Sequence, residues 1–227
     1  TNDDGYMATG LRVLASAATE LGSVSTVAPD REQSATSHSL TLHNPLRARR
    51  TVDGVFVVDG TPTDCVILGV NQLLPEKPEI CLSGVNHGPN MGEDVLYSGT
   101  VAAAMEATVM GIPSIALSYV GNRFEELEGW QGVVQAILEG ILGRETFPED
   151  TLFNVNLPAV APEDVRGIKI TSLGRRRYSD SILRAKDPMG KEYFWIGGGS
   201  VSWRGPEDSD FQAVEDGYVS VTPLHLD

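Results

Sequence analysis

Two carboxylates stand side by side in Thr1-Asn2-Asp3-Asp4-Gly5. Their like charges repel, and ionised acids enter apolar surroundings only when something cationic compensates them. An amphipathic run follows at once (Leu11, Val13, Leu14, Ala17, Ala18, Leu21), so Gly5 reads as the turn before a helix. The pair then lies on a loop between strand and helix, where α/β proteins gather ligands. A hard divalent cation held by carboxylate oxygens relieves the repulsion. An acidic helix N-cap is the plainer alternative, since Asn and Asp are favoured there.

Ser98-Gly99-Thr100 poses a similar choice. Glycine permits close backbone approach, hydroxyls donate, and a following helix N-terminus offers N–H groups with partial positive charge. That combination seats a phosphate. A Ser or Thr cap beside a glycine is the common alternative; next to a metal cluster the phosphate reading is preferred.

Composition bounds the class. A chain of 227 residues can bury a sizeable core, and one α/β domain with an appendage is expected. The formal net charge of -14 repels nucleic-acid backbones and anionic membranes, which argues against a polynucleotide-coating role. An anionic substrate needs a local cation to offset that field, and a metal supplies one. Cys65 and Cys81 lack CxxC partners and read as small buried hydrophobes in a helix and a strand. There is no sequon, signal-peptide pattern or bilayer-length apolar run, so cytoplasmic residence is the default. A strand leading into the Asp loop needs residues before Thr1, so the natural chain is expected to begin earlier.

The elements that must position these groups alternate along the chain. Strands are expected over 24–28, 55–58, 80–82, 112–117 and 151–156, and an extended segment over 40–50. Helices are expected from Pro62, over 101–110 and over 130–142. This spacing predicts a doubly wound, mostly parallel sheet. Beyond Pro158 the β-branched and aromatic stretches 168–170, 193–196 and 219–221, broken by glycines, read as appended hairpins. The division is therefore a catalytic domain over 1–158 and a β-rich extension over 159–227.

Loops leaving the carboxyl ends of parallel strands share an edge. The Asp3-Asp4 loop, the hydroxyl-rich loop with Ser34, and the stretch from Ser83 to Asn90 each follow an expected strand. Carboxylates, a hydroxyl and amides suit Mg²⁺, Mn²⁺ or Ca²⁺ better than a soft metal. His38 is a candidate substrate contact, whereas His87 reads as a solvent-facing loop residue, and His43 and His225 lack context. Arg175 with Arg176 and Arg177 offers forks suited to phosphate; a solvated turn or a subunit contact is the alternative. Trp130, Trp195 and Trp203 read as packing residues, and Tyr119 as a residue lining a nucleoside pocket. A dinucleotide oxidoreductase is disfavoured because G-x-G-x-x-G and P-loop signatures are missing. A non-catalytic nucleotide-sensing module and a Ca²⁺-stabilised structural protein stay open.

The ordered set Thr1-Asn2-Asp3-Asp4-Gly5, Ala28-Pro29-Asp30-Arg31-Glu32-Gln33-Ser34, Gly60-Thr61-Pro62-Thr63-Asp64, Ser83-Gly84-Val85-Asn86-His87-Gly88-Pro89-Asn90 and Tyr97-Ser98-Gly99-Thr100 resembles the SurE family of 5'/3'-nucleotidases. The resemblance runs nearly end to end. It implies a Rossmann-like α/β domain and a phosphomonoesterase acting on nucleoside monophosphates, with short polyphosphate as a further substrate. It also implies one divalent metal ion per subunit, held by Asp3, Asp4, Ser34 and Asn86. With that ion, Asp3 and Asp4 are the expected catalytic residues, Asp4 as base or nucleophile, and Asn90, Ser98, Gly99 and Thr100 the phosphate contacts. A homodimer or homotetramer built by exchange of C-terminal elements is implied as well. The chain stops at Asp227, short of a C-terminal helix that many relatives carry.

Overall fold

A computed structural model of the chain describes residues 1–143, 146–178, 182–196 and 201–226; the side chains of 177, 178, 201 and 202 lie outside that description. Helix α1 (Thr9–Thr19) buries Leu11, Val13, Leu14 and Ala17, the apolar stripe of the amphipathic run. It lies against strand β4 (Cys81–His87) so closely that a Cβ on Gly10 would stand 1.9 Å from Val85 O. Glycine is what allows this contact.

Two sheets carry the fold. In the smaller, β3 (Phe56–Val58) lies between β1 (Val27–Pro29), to which it is parallel, and the antiparallel β2 (Ala48–Arg50). The larger runs in the order β4, β5 (Ser114–Tyr119), β6 (Thr151–Leu157), β12 (Val219–His225), β7 (Ile168–Ile170). Neighbours are parallel except β6 and β12. Thr1 N donates to Leu82 O, and Gly84 N donates to Thr1 O, each at 3.0 Å. The first residues therefore run beside β4 and deliver Asp3 and Asp4 to its carboxyl end.

Helix α2 (Pro62–Leu68) opens on a capping box in which Thr61 and Asp64 satisfy each other's backbone, with Pro62 in the first turn. Helix α3 (Gly99–Val109) is alanine-rich because it packs tightly; Ala102, Ala103, Ala104 and Ala107 are buried. The main core joins α1 and α4 (Gln131–Leu142) to one sheet face through Leu14, Trp130, Ile137, Leu117, Val155 and Val221.

Four expectations need correction. Strand β1 starts at Val27, not residue 24, and includes Pro29. The stretch from Ser83 is strand as far as His87, with a register shift between Ser83 and Asn86, so Asn86 stands on β4 and not on a loop. Ile168–Ile170 and Val219–His225 are not hairpin arms: they complete the main sheet, where Val219 and Val221 enter the core. Among the described residues of the extension, antiparallel pairing outside the main sheet joins β8 (Arg175–Tyr178) to β11 (Val201–Arg204), and β9 (Ile182–Lys186) to β10 (Glu192–Ile196). Trp195 does not pack; it is 64% exposed on β10.

Candidate active site

Asp3 and Asp4 leave the edge of β4 and are secured from three directions. Gln33 N donates to Asp3 O at 2.7 Å, which ties the Ser34 loop to the carboxylates. Thr100 donates its hydroxyl to Asp3 Oδ1 at 2.5 Å and its N–H to Oδ2 at 3.1 Å. His87 N donates to Asp4 Oδ2 at 3.0 Å, and its ring Nδ1 lies 3.7 Å from Oδ1.

Burial pushes the Asp3 carboxyl above its ordinary value, while the bonds from Thr100 pull it down. Asp4 is pushed up to about 7 by burial first and then by the charge of Asp3. No Lys or Arg side chain bonds either carboxylate among the described residues. Two adjacent acids, one buried and one partly buried, with no Lys or Arg bonded to them are a site that a cation would stabilise.

The remaining oxygen donors close around them. Ser34, exposed, donates to Glu32 Oε1 at 2.6 Å, leaving lone pairs on its Oγ. Asn86 turns Nδ2 to Gly88 O at 2.9 Å, so its Oδ1 is the atom the fold does not use. Asp3, Ser34, Asn86, His87, Asn90, Asp94, Tyr97, Ser98 and Arg176 all line one cleft of about 580 Å³. Asp4, partly buried, accepts from His87 N and does not line the cleft. Among the described residues no group of three or more His, Cys, Asp and Glu side chains is placed to hold a metal; the donor set is two carboxylates, a hydroxyl and an amide.

Several sequence candidates stand differently from expectation. Ser98 caps α3 by accepting from Val101 N at 3.1 Å, and both donors of Thr100 are spent on Asp3. The N-terminus of α3 thus already faces a carboxylate, and Gly99 is the residue that permits it: a Cβ there would stand 2.9 Å from Asp3 Cβ. His38 bonds Glu106 Oε2 at 2.7 Å and does not line the cleft. Arg175 is exposed and off the cleft, while Arg176 lines it. Alternation along β8 explains the difference, because successive side chains point to opposite faces. Arg176 pairs with Asp94 and lies over the Trp203 ring, 5.4 Å from its centroid. Tyr119 is buried against Trp130 and does not line the cleft.

Sequence reasoning missed three features. His87 is not solvent-facing: it ends β4 and stacks on Phe124 with centroids 4.3 Å apart. Asp94, two residues beyond Gly92, was readable only as one more acid in a polar run. Asp210, fully buried, accepts from Gly92 N, Gly174 N and Phe211 N at 2.8–2.9 Å and so fixes the cleft wall from the C-terminal region.

The chain matches the survival protein SurE family over residues 1–180. It is 61% identical over 230 residues to a Gemmatimonas aurantiaca protein named 5'-nucleotidase SurE, covering 100% of this chain and 91% of that one. A Geotalea uraniireducens protein of the same name is 51% identical over 227 residues, covering 100% and 92%. The crystal structure of the SurE protein from Aquifex aeolicus superposes with a TM-score of 0.87 at 45% identity, covering 100% of this chain and 92% of that one. On sequence and fold together, the chain belongs to the SurE family.

Proposed function

We propose that the protein is a divalent-metal-dependent phosphomonoesterase that hydrolyses nucleoside 5'-monophosphates to nucleoside and phosphate. The observation that carries this reading is the adjacent pair Asp3 and Asp4, bonded by no described Lys or Arg, with Asp3 lining one cleft beside Ser34 and Asn86. Relatives at up to 61% identity over the whole chain bear the name 5'-nucleotidase SurE. Nucleoside 3'-monophosphates and short polyphosphate belong to the same proposal as further substrates.

The donor set suits Mg²⁺ or Mn²⁺, which prefer carboxylate, carbonyl and hydroxyl oxygen. Asp3, Asp4, Ser34 and Asn86 would hold it. When bound, such an ion supplies Lewis-acid polarisation of a phosphoryl oxygen and a lowered pKa for water. The chain's own residues do the rest. Asn90 and Ser98, which line the cleft, orient the phosphate, and Arg176 in the same lining offsets its charge. Asp4 acts either as base toward the attacking water or as nucleophile on phosphorus; the second route leaves a trappable phosphoaspartate and the first does not.

Exposed Ile182, Leu183, Phe194, Trp195 and Ile196 on the β9–β10 hairpin support self-association as a homodimer or homotetramer. Cys65 and Cys81 are free thiols, which accords with residence in a reducing compartment, the cytoplasm. No described helix is long and apolar enough to cross a membrane.

The test is phosphate release from a panel of nucleoside 5'- and 3'-monophosphates, polyphosphate and p-nitrophenyl phosphate with added Mg²⁺ or Mn²⁺. Turnover that a chelator abolishes supports the enzyme. Tight nucleotide binding with no phosphate released supports the sensing module instead.

A further inference from the structure

Strand β6 carries two fully buried amides, Asn154 and Asn156, on the face where Leu152 joins a small apolar cluster with Ala116 and Leu224. Its other face, Phe153, Val155 and Leu157, fills the main core. Aliphatic side chains would suit both faces of a buried strand, and an amide removed from water is costly unless it is bonded. Both amides converge on one residue. Asn90 N donates to Asn156 Oδ1 at 2.9 Å, while Asn90 O accepts from Asn154 Nδ2 at 2.7 Å and from Asn156 Nδ2 at 3.0 Å. The Asn90 side chain then donates to Ser118 Oγ on β5 at 2.8 Å.

Asn90 lies between Pro89 and Met91 in a segment that belongs to no strand or helix, so no ladder satisfies its backbone. Side chains of the sheet do it instead. A loop residue at the cleft thereby acquires the rigidity of a strand, which a site that must meet developing charge requires.

We propose that Asn154 and Asn156 are positioning residues that hold Asn90 in place to meet the phosphate, an inference resting on the phosphomonoesterase reading above. They touch no substrate and act through Asn90.

The test is a double-mutant cycle of Asn156→Leu with Asn90→Ala, read by AMP turnover and by calorimetric binding of inorganic phosphate to the Mn²⁺-loaded protein. Asn156→Leu is expected to weaken phosphate binding and kcat by roughly ten-fold each, with the Mn²⁺ affinity unchanged. Asn90→Ala is expected to do the same, and the double variant no more, since Asn156 then has nothing to aim. Additive losses, or phosphate affinity in Asn156→Leu equal to the parent's, overturn the proposal. If Asn156→Leu fails to fold, Asn154→Leu, which removes one bond to Asn90 O, is expected to show a smaller loss of the same pattern; unaltered phosphate binding there overturns it. A parent protein that turns over no AMP, yet shows the non-additive phosphate cycle, refutes the assigned reaction and supports the clamp.

Discussion

Thr100 gives Asp3 both of its donors, the hydroxyl to Oδ1 and the N–H to Oδ2, so the carboxylate sits on the N-terminus of α3. Helix dipole and hydrogen bonds both favour the ionised acid, against the burial that opposes it. Removing the hydroxyl alone shifts that balance toward the protonated form. Thr100→Val is expected to weaken Mn²⁺ binding at neutral pH by about ten-fold, while Thr100→Ser stays near the parent. Titration calorimetry of the two variants checks this.

Asp4 gives a pH dependence with a definite sign. Its folded value of about 7 lies above the unfolded value, so between those values the folded metal-free protein binds more protons than the unfolded chain. Its contribution to stability is full below pH 4 and is lost as pH rises toward 7. Asp3, also raised, adds in the same direction. Thermal unfolding of the chelator-treated protein is expected to show this pair destabilising at pH 8 relative to pH 5. Saturating Mn²⁺ should reverse the trend, because loading the site releases a proton. Asp4→Asn should flatten it.

Packing of α1 on β4 gives a test of the fold that positions the acids. With Val85 O only 1.9 Å from where its Cβ would be, Gly10→Ala must push helix from strand. A loss of about 3 kcal/mol is expected. Gly22→Ala, with nothing within 4 Å, should lie within about 0.5 kcal/mol of the parent. Urea denaturation separates the two.

Arg176 and Arg175 differ by one position on β8, and only Arg176 lines the cleft. Arg176→Ala should raise the KM for AMP by about ten-fold, with a smaller change in kcat. Arg175→Ala should leave KM within about two-fold. Steady-state kinetics on the pair reads out whether strand alternation sets the role.

Local chemistry made much of this legible. Thr61-Pro62 and the alanine-rich run of α3 announce a helix start and a helix through their own side chains. What stayed hidden depends on partners distant in sequence. The stretch 219–221 reads as a hairpin arm until β12 pairs with β6, about 70 residues earlier. Asn154 and Asn156 look like polar interruptions of a buried strand until Asn90 arrives to use them. Thr100 reads as a phosphate donor because nothing local reveals that Asp3 takes its bonds. A run of three arginines cannot say which one faces inward without the strand's register.

Crystals soaked in Mn²⁺ and measured at the manganese absorption edge address the metal centre itself. One strong anomalous peak is expected, coordinated by oxygens of Asp3, Asp4, Ser34 and Asn86, and it disappears in Asp4→Asn. Fully occupied manganese elsewhere in the cleft, or none beside these four residues, would contradict it.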